Sequence, residues 1–174
     1  MSQNSQLVVK HARRVEEVRT PSESRPVIRL RTTLGSRLVR RDFHLMSTKM
    51  RACAHQSGYR QTVRDDLSLF ELEVARFVRM SRQIRDVPSS VFVAEVQLRL
   101  VCAESARLFH AMKAFDSALS CLLVALMDGK IDVENGLQPM LRPVLFAYKM
   151  LKQSSLKMRE QRTAAQLAAE LGVD

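Results

Sequence analysis

The spacing of Arg29, Arg31 and Thr33 is the feature of the sequence that best fits a specific chemistry. In an extended strand, side chains two residues apart lie on the same face, so these three polar groups would share one face of a strand within residues 26–35. Arginine can donate two parallel hydrogen bonds to guanine, and threonine can reach base edges or the thymine methyl group. The apolar side chains that would lie on the opposite face are Ile28, Leu30 and Leu34. The pattern therefore predicts a strand with one apolar face and one face able to hydrogen-bond to base pairs.

A single short strand needs a hydrogen-bonding partner, because its backbone N–H and C=O groups are costly to leave unpaired. Two helices are predicted directly after residues 26–35, and no second strand is evident close by. We therefore expect the strand to pair with its copy in a second chain, giving a two-stranded antiparallel ribbon. Such a ribbon fits the major groove of B-DNA. The predicted fold is mainly α: a ribbon-helix-helix homodimer with a helical C-terminal extension.

The basic residues concentrate in the first third of the chain. Residues 1–60 contain 13 Lys and Arg against 4 Asp and Glu, whereas residues 61–174 contain 15 against 14. Nearly all of the formal net charge of +10 therefore surrounds the candidate strand. A basic side and a nearly neutral body suit a polyanion such as double-stranded DNA. A basic surface that only aids solubility would give the same charge count.

The first two predicted helices would carry the phosphate contacts. Ser36 is placed as the N-cap of the first helix and Gly58 as its stop. Thr62 to Asp65 has the form of a capping box for a second helix that runs to about residue 85. A helix N-terminus binds phosphate through its free N–H groups, although Asp65 and Asp66 would oppose this here. The predicted phosphate-contacting residues are Arg25, Arg37, Arg60, Gln61, Thr62 and Arg64.

Four segments are predicted along the chain. They are a mobile basic arm (1–25), a ribbon-helix-helix module for DNA binding and dimerisation (26–87), a helical extension (88–153) and a weakly helical tail (154–174). Within the extension, residues 91–101 fit either a second strand or the start of a helix. A long apolar helix is predicted over 103–127, and another over 133–152 with an interruption expected at Pro139 and Pro143. The extension would cover the base of the dimer.

The sequence contains no pattern typical of an enzyme, a metal site or a cofactor site. The four histidines and three cysteines are scattered, and no second pair lies at zinc spacing from Cys53 and His55. There is no Gly-rich phosphate loop and no nucleophile or metalloprotease motif. Unpaired cysteine spacing, the lack of a signal peptide and the lack of an apolar run near the ~20 residues of a membrane span indicate a cytoplasmic protein without membrane contact. We therefore expect no catalytic activity, no cofactor and no metal.

The order of these segments resembles that of the AcaB-type transcriptional activators of conjugative plasmids and integrating conjugative elements. The resemblance covers roughly residues 25–152 and is strongest where residues 27–34 lead into 37–44 and where residues 113–116 read Lys-Ala-Phe-Asp. Asp65-Asp66 at the head of a helix and residues 97–100 before the next one also agree. Two features depart from the family pattern. The chain lacks a loop that many relatives insert between the first two helices, and it has Ala103-Glu104 where relatives often have Asn-Pro.

The resemblance implies a sequence-specific activator of conjugative-transfer genes, with Arg29, Arg31 and Thr33 as the base readers. Residues 91–152 are candidates for joining dimers into tetramers on DNA or for contacting RNA polymerase. An alternative is an accessory protein of the transfer apparatus, whose basic face binds a protein partner. A third hypothesis, an RNA-binding regulator, is disfavoured by an aromatic content of 5% and the absence of Trp, because single-stranded RNA is commonly bound by stacking on aromatic side chains.

Overall fold

The computed structural model describes residues 24–157, which form a mainly helical fold with one small antiparallel sheet. The strands are β1 (Val27–Leu30) and β2 (Ala94–Gln97). The helices are α1 (Thr33–Leu38), α2 (His44–Ala52), α3 (Ser57–Ile84), α4 (Ala103–Met127) and α5 (Gln138–Ser155), and π-helical segments Val39–Phe43 and Val133–Leu137 lead into α2 and α5. The predicted mainly α class is confirmed. The predicted arm up to residue 23 and the predicted tail from residue 158 lie outside the described residues.

The sheet joins two strands of the same chain. β1 pairs antiparallel with β2, with Ile28 opposite Val96 and Arg29 opposite Glu95. The expectation that β1 has no second strand near it was therefore wrong, because residues 91–101, whose assignment was open, supply one. The predicted alternation along the strand is confirmed over its observed length, since Ile28 and Leu30 are buried and Arg29 is exposed.

Both of the first two predicted helices begin earlier than the sequence indicates. The N-cap of α1 is Thr32, whose hydroxyl oxygen accepts a hydrogen bond from the Gly35 N–H at 3.0 Å, so Ser36 is not the cap. α3 begins before the predicted capping box, which puts Gly58 and Thr62 inside the helix instead of at its boundary. The Thr62 hydroxyl donates to the Gly58 carbonyl one turn earlier, a bond made within a helix and not at its cap.

α4 is the helix with the largest share of buried residues. It packs along α3, which also packs along α5, and it contacts β1. Among the most completely buried large side chains are Phe43, Phe70, Phe77, Phe115, Leu108 and Leu122. By length and composition alone, α4 could cross a membrane, but 67% of its most apolar window is buried inside the protein. An apolar helix that is mostly buried against other parts of the protein is typical of a helix in the hydrophobic core.

The two prolines do not interrupt α5. Pro139 lies in the first turn, where a helix needs no backbone donor, and Pro143 lies inside the helix, which nevertheless continues to Ser155. The predicted interruption was therefore wrong. Packing of an apolar face supplies most of the stability of a helix in a folded protein, and this outweighs one missing hydrogen bond. The buried residues of that face include Val144, Ala147, Tyr148 and Leu151.

A buried ionic cluster ties the π-helical segment Val39–Phe43 to α5. The Asp42 carboxylate is buried and accepts hydrogen bonds from Lys152 Nζ at 2.8 Å, from the Tyr148 hydroxyl at 2.9 Å and from the Arg41 guanidinium at 2.9 and 3.0 Å. Burial opposes ionisation of Asp42, but these donors together hold its pKa below the usual value. Burial, followed by the charge of Asp42, raises the pKa of Tyr148. The cluster thus joins two elements far apart in the sequence.

Candidate nucleic-acid interface

The solvent face of the sheet carries Arg29 directly opposite Glu95. The Arg29 Nε donates to Glu95 Oε2 at 2.9 Å, and the two side chains remain 64% and 59% exposed. An exposed pair of this kind contributes only ~0–1 kcal/mol to stability, because water and salt screen it. Arg29 can therefore leave Glu95 for a stronger acceptor at little cost. Val27 and Gln97 are also exposed on this face.

Arg31 is held more firmly than Arg29. Its Nε donates to the Ser89 carbonyl at 2.8 Å, and its guanidinium lies 4.4 Å from the centre of the Phe92 ring. Stacking of arginine on an aromatic face is worth ~0.5–1 kcal/mol at an exposed site and fixes the plane of the guanidinium. No hydrogen bond within residues 24–157 uses its two terminal amino groups. Arg31 therefore combines a fixed position with free donors.

Lys113 of α4 completes a basic depression beside these arginines. The depression has a volume of about 470 Å³. Three cationic groups and one carboxylate line it, so it carries an excess of two positive charges, and Phe92 supplies an apolar wall. Its lining residues are Val27, Arg29, Arg31, Phe92, Glu95 and Lys113. This charge balance favours an anionic or strongly hydrogen-bond-accepting partner.

Asp116 fixes the end of β1 from α4. Its buried carboxylate accepts hydrogen bonds from the Arg31 N–H at 2.6 Å, the Thr32 N–H at 3.0 Å and the Thr32 hydroxyl at 2.6 Å. Gly35 lies so close that a Cβ at this position would collide with the Asp116 carboxylate. The backbone that carries Arg31 is therefore anchored to the core, one helical turn from Lys113.

One edge of β1 has no strand beside it within residues 24–157. Hydrogen bonds from the β2 segment reach the carbonyls of Ser24 and Pro26, both at 2.9 Å. Backbone groups alternate in direction along a strand, so the even-numbered residues of β1 face β2, and the N–H and C=O groups of Val27 and Arg29 face the other edge. An open edge with unpaired donors and acceptors is a template for another strand.

The structure separates the predicted base readers. Arg29 and Arg31 line the same depression, as expected from their spacing. Thr33 is instead the first residue of α1, because the chain leaves the extended conformation at Thr32, so its assignment to the strand face was wrong. Thr33 is exposed, as are the predicted phosphate contacts Arg25 and Arg37.

The other predicted phosphate contacts lie within the first eight residues of α3, beyond the residues whose N–H groups are free at its N-terminus. Arg64 Nε contacts Glu104 Oε1 of α4 at 2.9 Å, and Arg60 Nε lies 3.8 Å from the same oxygen. Burial opposes ionisation of Glu104, but hydrogen bonds and the two arginine charges keep its pKa below the usual value. Gln61 and Thr62 bond within α3 itself, and no ion pair or hydrogen bond of these four residues within 24–157 reaches the sheet.

Sequence reasoning missed several residues of this face. Phe92 and Glu95 precede the alternation at residues 96–100 that indicated a strand, so the pattern did not include them. Lys113 and Asp116 stand out in the sequence only through the Lys-Ala-Phe-Asp motif at residues 113–116, which resembles that of the AcaB-type activators. An aspartate within the apolar stripe of a buried helix was a usable signal, because a buried carboxylate requires hydrogen-bond donors.

Comparison of the chain with protein-family models, with curated proteins and with solved structures found no match. Within the described residues, no group of three or more His, Cys, Asp or Glu side chains is placed to hold a metal ion. The geometry of the sheet face and the alternating pattern of residues 26–35 are therefore the features that bear on function.

Proposed function

We propose that this protein binds double-stranded DNA as a homodimer and reads base pairs with the solvent face of β1. The observation that supports this most is the combination, on one short strand, of arginines on the outer face, buried side chains on the inner face and an open edge. The core and Asp116 hold this strand in place. A recognition element that is already ordered loses little conformational entropy on binding, so more of its contact energy contributes to affinity.

Two copies of β1 can pair through their open edges. If the two-fold axis passes beside Ile28, Val27 of each copy lies opposite Arg29 of the other, and the backbone groups of both residues point across the axis. The resulting sheet has the order β2–β1–β1–β2. Its central pair is the two-stranded ribbon expected from the sequence, and one face then carries Arg29 and Arg31 of both copies.

The dimensions of this sheet define how it would meet DNA. Strands spaced about 4.8 Å apart give about 14 Å between the two outer strands. The major groove is about 12 Å wide, so the central pair would enter it and β2 would lie beside the phosphates. Glu95 on β2 would then repel the backbone unless Arg29 stays beside it. The carboxylate of Glu95 should therefore weaken binding to any DNA sequence.

The cellular role follows from the resemblance of the segment order to the AcaB-type activators. We propose a cytoplasmic transcriptional regulator that activates conjugative-transfer genes. In this role, the helices after β2 remain candidates for contacting RNA polymerase or a second dimer on the DNA.

The reading face is tested by selecting sequences from a random DNA library with the full chain. Affinity for the best sequence is then measured by fluorescence anisotropy. Arg29→Ala and Arg31→Ala should each weaken binding by ~1–3 kcal/mol and relax the preference at one base pair. Glu95→Gln should strengthen binding, because it removes the repulsion and releases Arg29.

Arg76→Ala is the matched control for these variants. Arg76 is an exposed arginine 3.1 Å from a neighbouring carboxylate, that of Glu73, but it lies on α3 and does not line the depression. Its replacement should leave the affinity and the base preference unchanged. The proposal fails if the Arg29→Ala, Arg31→Ala double variant binds the selected sequence as tightly as the wild type.

The dimer is tested separately with Val27→Pro. Proline removes the N–H that faces the open edge and leaves the hydrogen bonds to β2 in place. Sedimentation equilibrium should show weaker dimerisation for Val27→Pro, whereas Val27→Ala, which keeps the N–H, should stay closer to wild type. A wild-type chain that is monomeric both alone and on DNA would refute the dimer, whatever the first test shows of the reading face.

One observation favours a second candidate, an accessory protein that binds another protein through this region. The segment before β2 exposes four apolar side chains, which is more than a surface loop requires: Val87, Val91, Phe92 and Val93. Exposed apolar groups in one segment are typical of protein interfaces. Competition separates the candidates, because a sequence-specific DNA complex survives excess nonspecific DNA and a protein-binding module shows no base preference.

A further inference from the structure

A groove about 670 Å³ in volume runs between α3 and α4, outside the sheet face. It is open to solvent along its length, and its floor is apolar. Among the floor residues, Leu72 has 54% of its surface accessible. The other apolar residues of the floor include Ala75, Val78, Ala111 and Ala114.

Basic side chains surround this apolar floor. Arg79, Arg82, Arg107 and His110 line the groove together with one carboxylate, that of Glu71. Arg107 is fixed by Glu71, with nitrogen–oxygen distances of 2.6 and 2.9 Å. This pair is internally neutral, so Arg79 and Arg82 supply the excess charge of the groove.

Both of these arginines are available for a partner. Arg79 is exposed and makes no ion pair or hydrogen bond within residues 24–157. The Arg82 Nε lies 3.8 Å from Asp86 Oδ1, and the two side chains are 69% and 78% exposed, so this contact is weak. They lie three residues apart on α3 and therefore point from the same side of the helix.

We propose that this groove binds an acidic amphipathic helix of a partner protein. A helix presents apolar side chains at i, i+3, i+4 and i+7, and these fit an elongated apolar groove between two helices. Glu or Asp side chains on the flank of such a helix would meet Arg79 and Arg82. The open shape favours a peptide over a small molecule, because small-molecule sites enclose most of their ligand.

This surface is independent of the DNA-binding proposal. It is formed by α3 and α4, and none of its lining residues lines the depression on the sheet. The groove would therefore give the protein a protein-binding function in addition to its contact with DNA.

The experiment is a selection of random 16-residue peptides, displayed on phage, against the immobilised full chain. We expect the enriched peptides to carry net negative charge and apolar residues at helical spacing. The affinity of the best peptide is then measured by fluorescence anisotropy with the variants. Arg79→Glu combined with Arg82→Glu should weaken its binding at least tenfold, and Arg76→Glu, also on α3 but outside the groove, should change it less than twofold.

A charge swap separates recognition from loss of folding. The same peptide with its acidic residues changed to Lys should bind the Arg79→Glu, Arg82→Glu variant more tightly than it binds the wild type, which an unfolded variant could not reproduce. The proposal is overturned if the enriched peptides are not acidic, if no peptide is enriched, or if the double reversal leaves their binding unchanged. It is also overturned if the double reversal abolishes binding to double-stranded DNA instead, since the groove would then be a nucleic-acid surface.

Discussion

The close approach of α1 to α4 gives the sharpest test of how β1 is held. Gly35 and Asp116 lie on different helices, and a Cβ at Gly35 would collide with Oδ1 of Asp116 and lie 3.0 Å from both its Cγ and the Thr32 Oγ1. Asp116 in turn accepts the backbone hydrogen bonds of Arg31 and Thr32. Replacing either Gly35 or Asp116 should therefore disturb the same contact.

The magnitudes follow from the groups involved. Gly35→Ala adds a methyl group to a filled site, and such overpacking typically costs ~1–3 kcal/mol. Asp116→Ala leaves the buried Thr32 N–H and the partly buried Arg31 N–H without an acceptor. At ~1–3 kcal/mol for a fully buried group, the loss is at most about 2–6 kcal/mol. In the double variant the carboxylate is gone, so the added methyl group finds room. The double variant should therefore be more stable than the sum of the two single losses implies, by about 1–2 kcal/mol.

The assay is urea unfolding followed by circular dichroism, with the four proteins of the cycle measured at pH 7. Gly58→Ala is the matched control, because nothing lies within 4 Å of a Cβ at that position in α3. Gly58→Ala should leave the free energy of unfolding unchanged or raise it by up to ~1 kcal/mol, which is the difference in helix propensity between glycine and alanine. Both glycines lie in helices, so helix propensity alone predicts that both replacements stabilise the protein.

Two results would refute this reasoning. If Gly35→Ala stabilises the protein as Gly58→Ala does, the helices do not approach as closely as described. If the two losses simply add, Gly35 and Asp116 do not share a contact. A loss of DNA affinity in Asp116→Ala without a change in unfolding free energy would assign Asp116 to the interface instead of to the anchoring of β1.

Three further predictions concern buried titratable groups. Asp42→Asn should destabilise the fold at pH 7 by about 1.5–3 kcal/mol. The pKa of Asp42 is lower in the folded protein than in the unfolded chain, so its carboxylate stabilises the fold above the carboxyl pKa of the unfolded chain. The urea midpoints of wild type and variant should therefore converge as the pH falls below about 4. The raised pKa of Tyr148 favours the fold until the pH exceeds about 10, so its phenol should ionise, by absorbance at 295 nm, only as the chain unfolds. Burial, the largest effect on the Cys121 thiol, raises its pKa, so a disulfide reagent should modify this residue slowly before unfolding and rapidly afterwards.

Local patterns in the sequence predicted what local interactions determine. The alternation of Ile28 and Leu30 with Arg29 required one buried and one exposed face, and the structure has both. The helical stripes likewise predicted a mainly α fold. The position of these elements relative to each other was not predictable in the same way, because β1 and β2 are separated by more than sixty residues.

The start of α1 shows why boundaries failed. Gly35-Ser36 has the composition of a helix start, but the cap is Thr32, whose hydroxyl donates to Asp116, 84 residues away. No local pattern contains that contact. The same holds for Lys113, which is one of several exposed charges on α4 by sequence and reaches the sheet face only because α4 packs against β1.

The ion pair between Arg29 and Glu95 bears on how such a face would distinguish DNA sequences. On its own, the pair is worth at most ~1 kcal/mol, because both side chains are largely exposed. A bidentate contact with guanine is worth ~1–3 kcal/mol of discrimination against the wrong base. It is therefore favourable for Arg29 to leave Glu95 for a base at the correct base pair, and unfavourable or neutral at other base pairs. Glu95 would thus lower affinity most at the correct site, because only there does Arg29 leave it, and it would narrow the difference in affinity between correct and incorrect sites. Glu95→Gln should accordingly tighten binding to the selected sequence more than binding to unrelated DNA, and an equal gain on both would show that Glu95 acts only through charge.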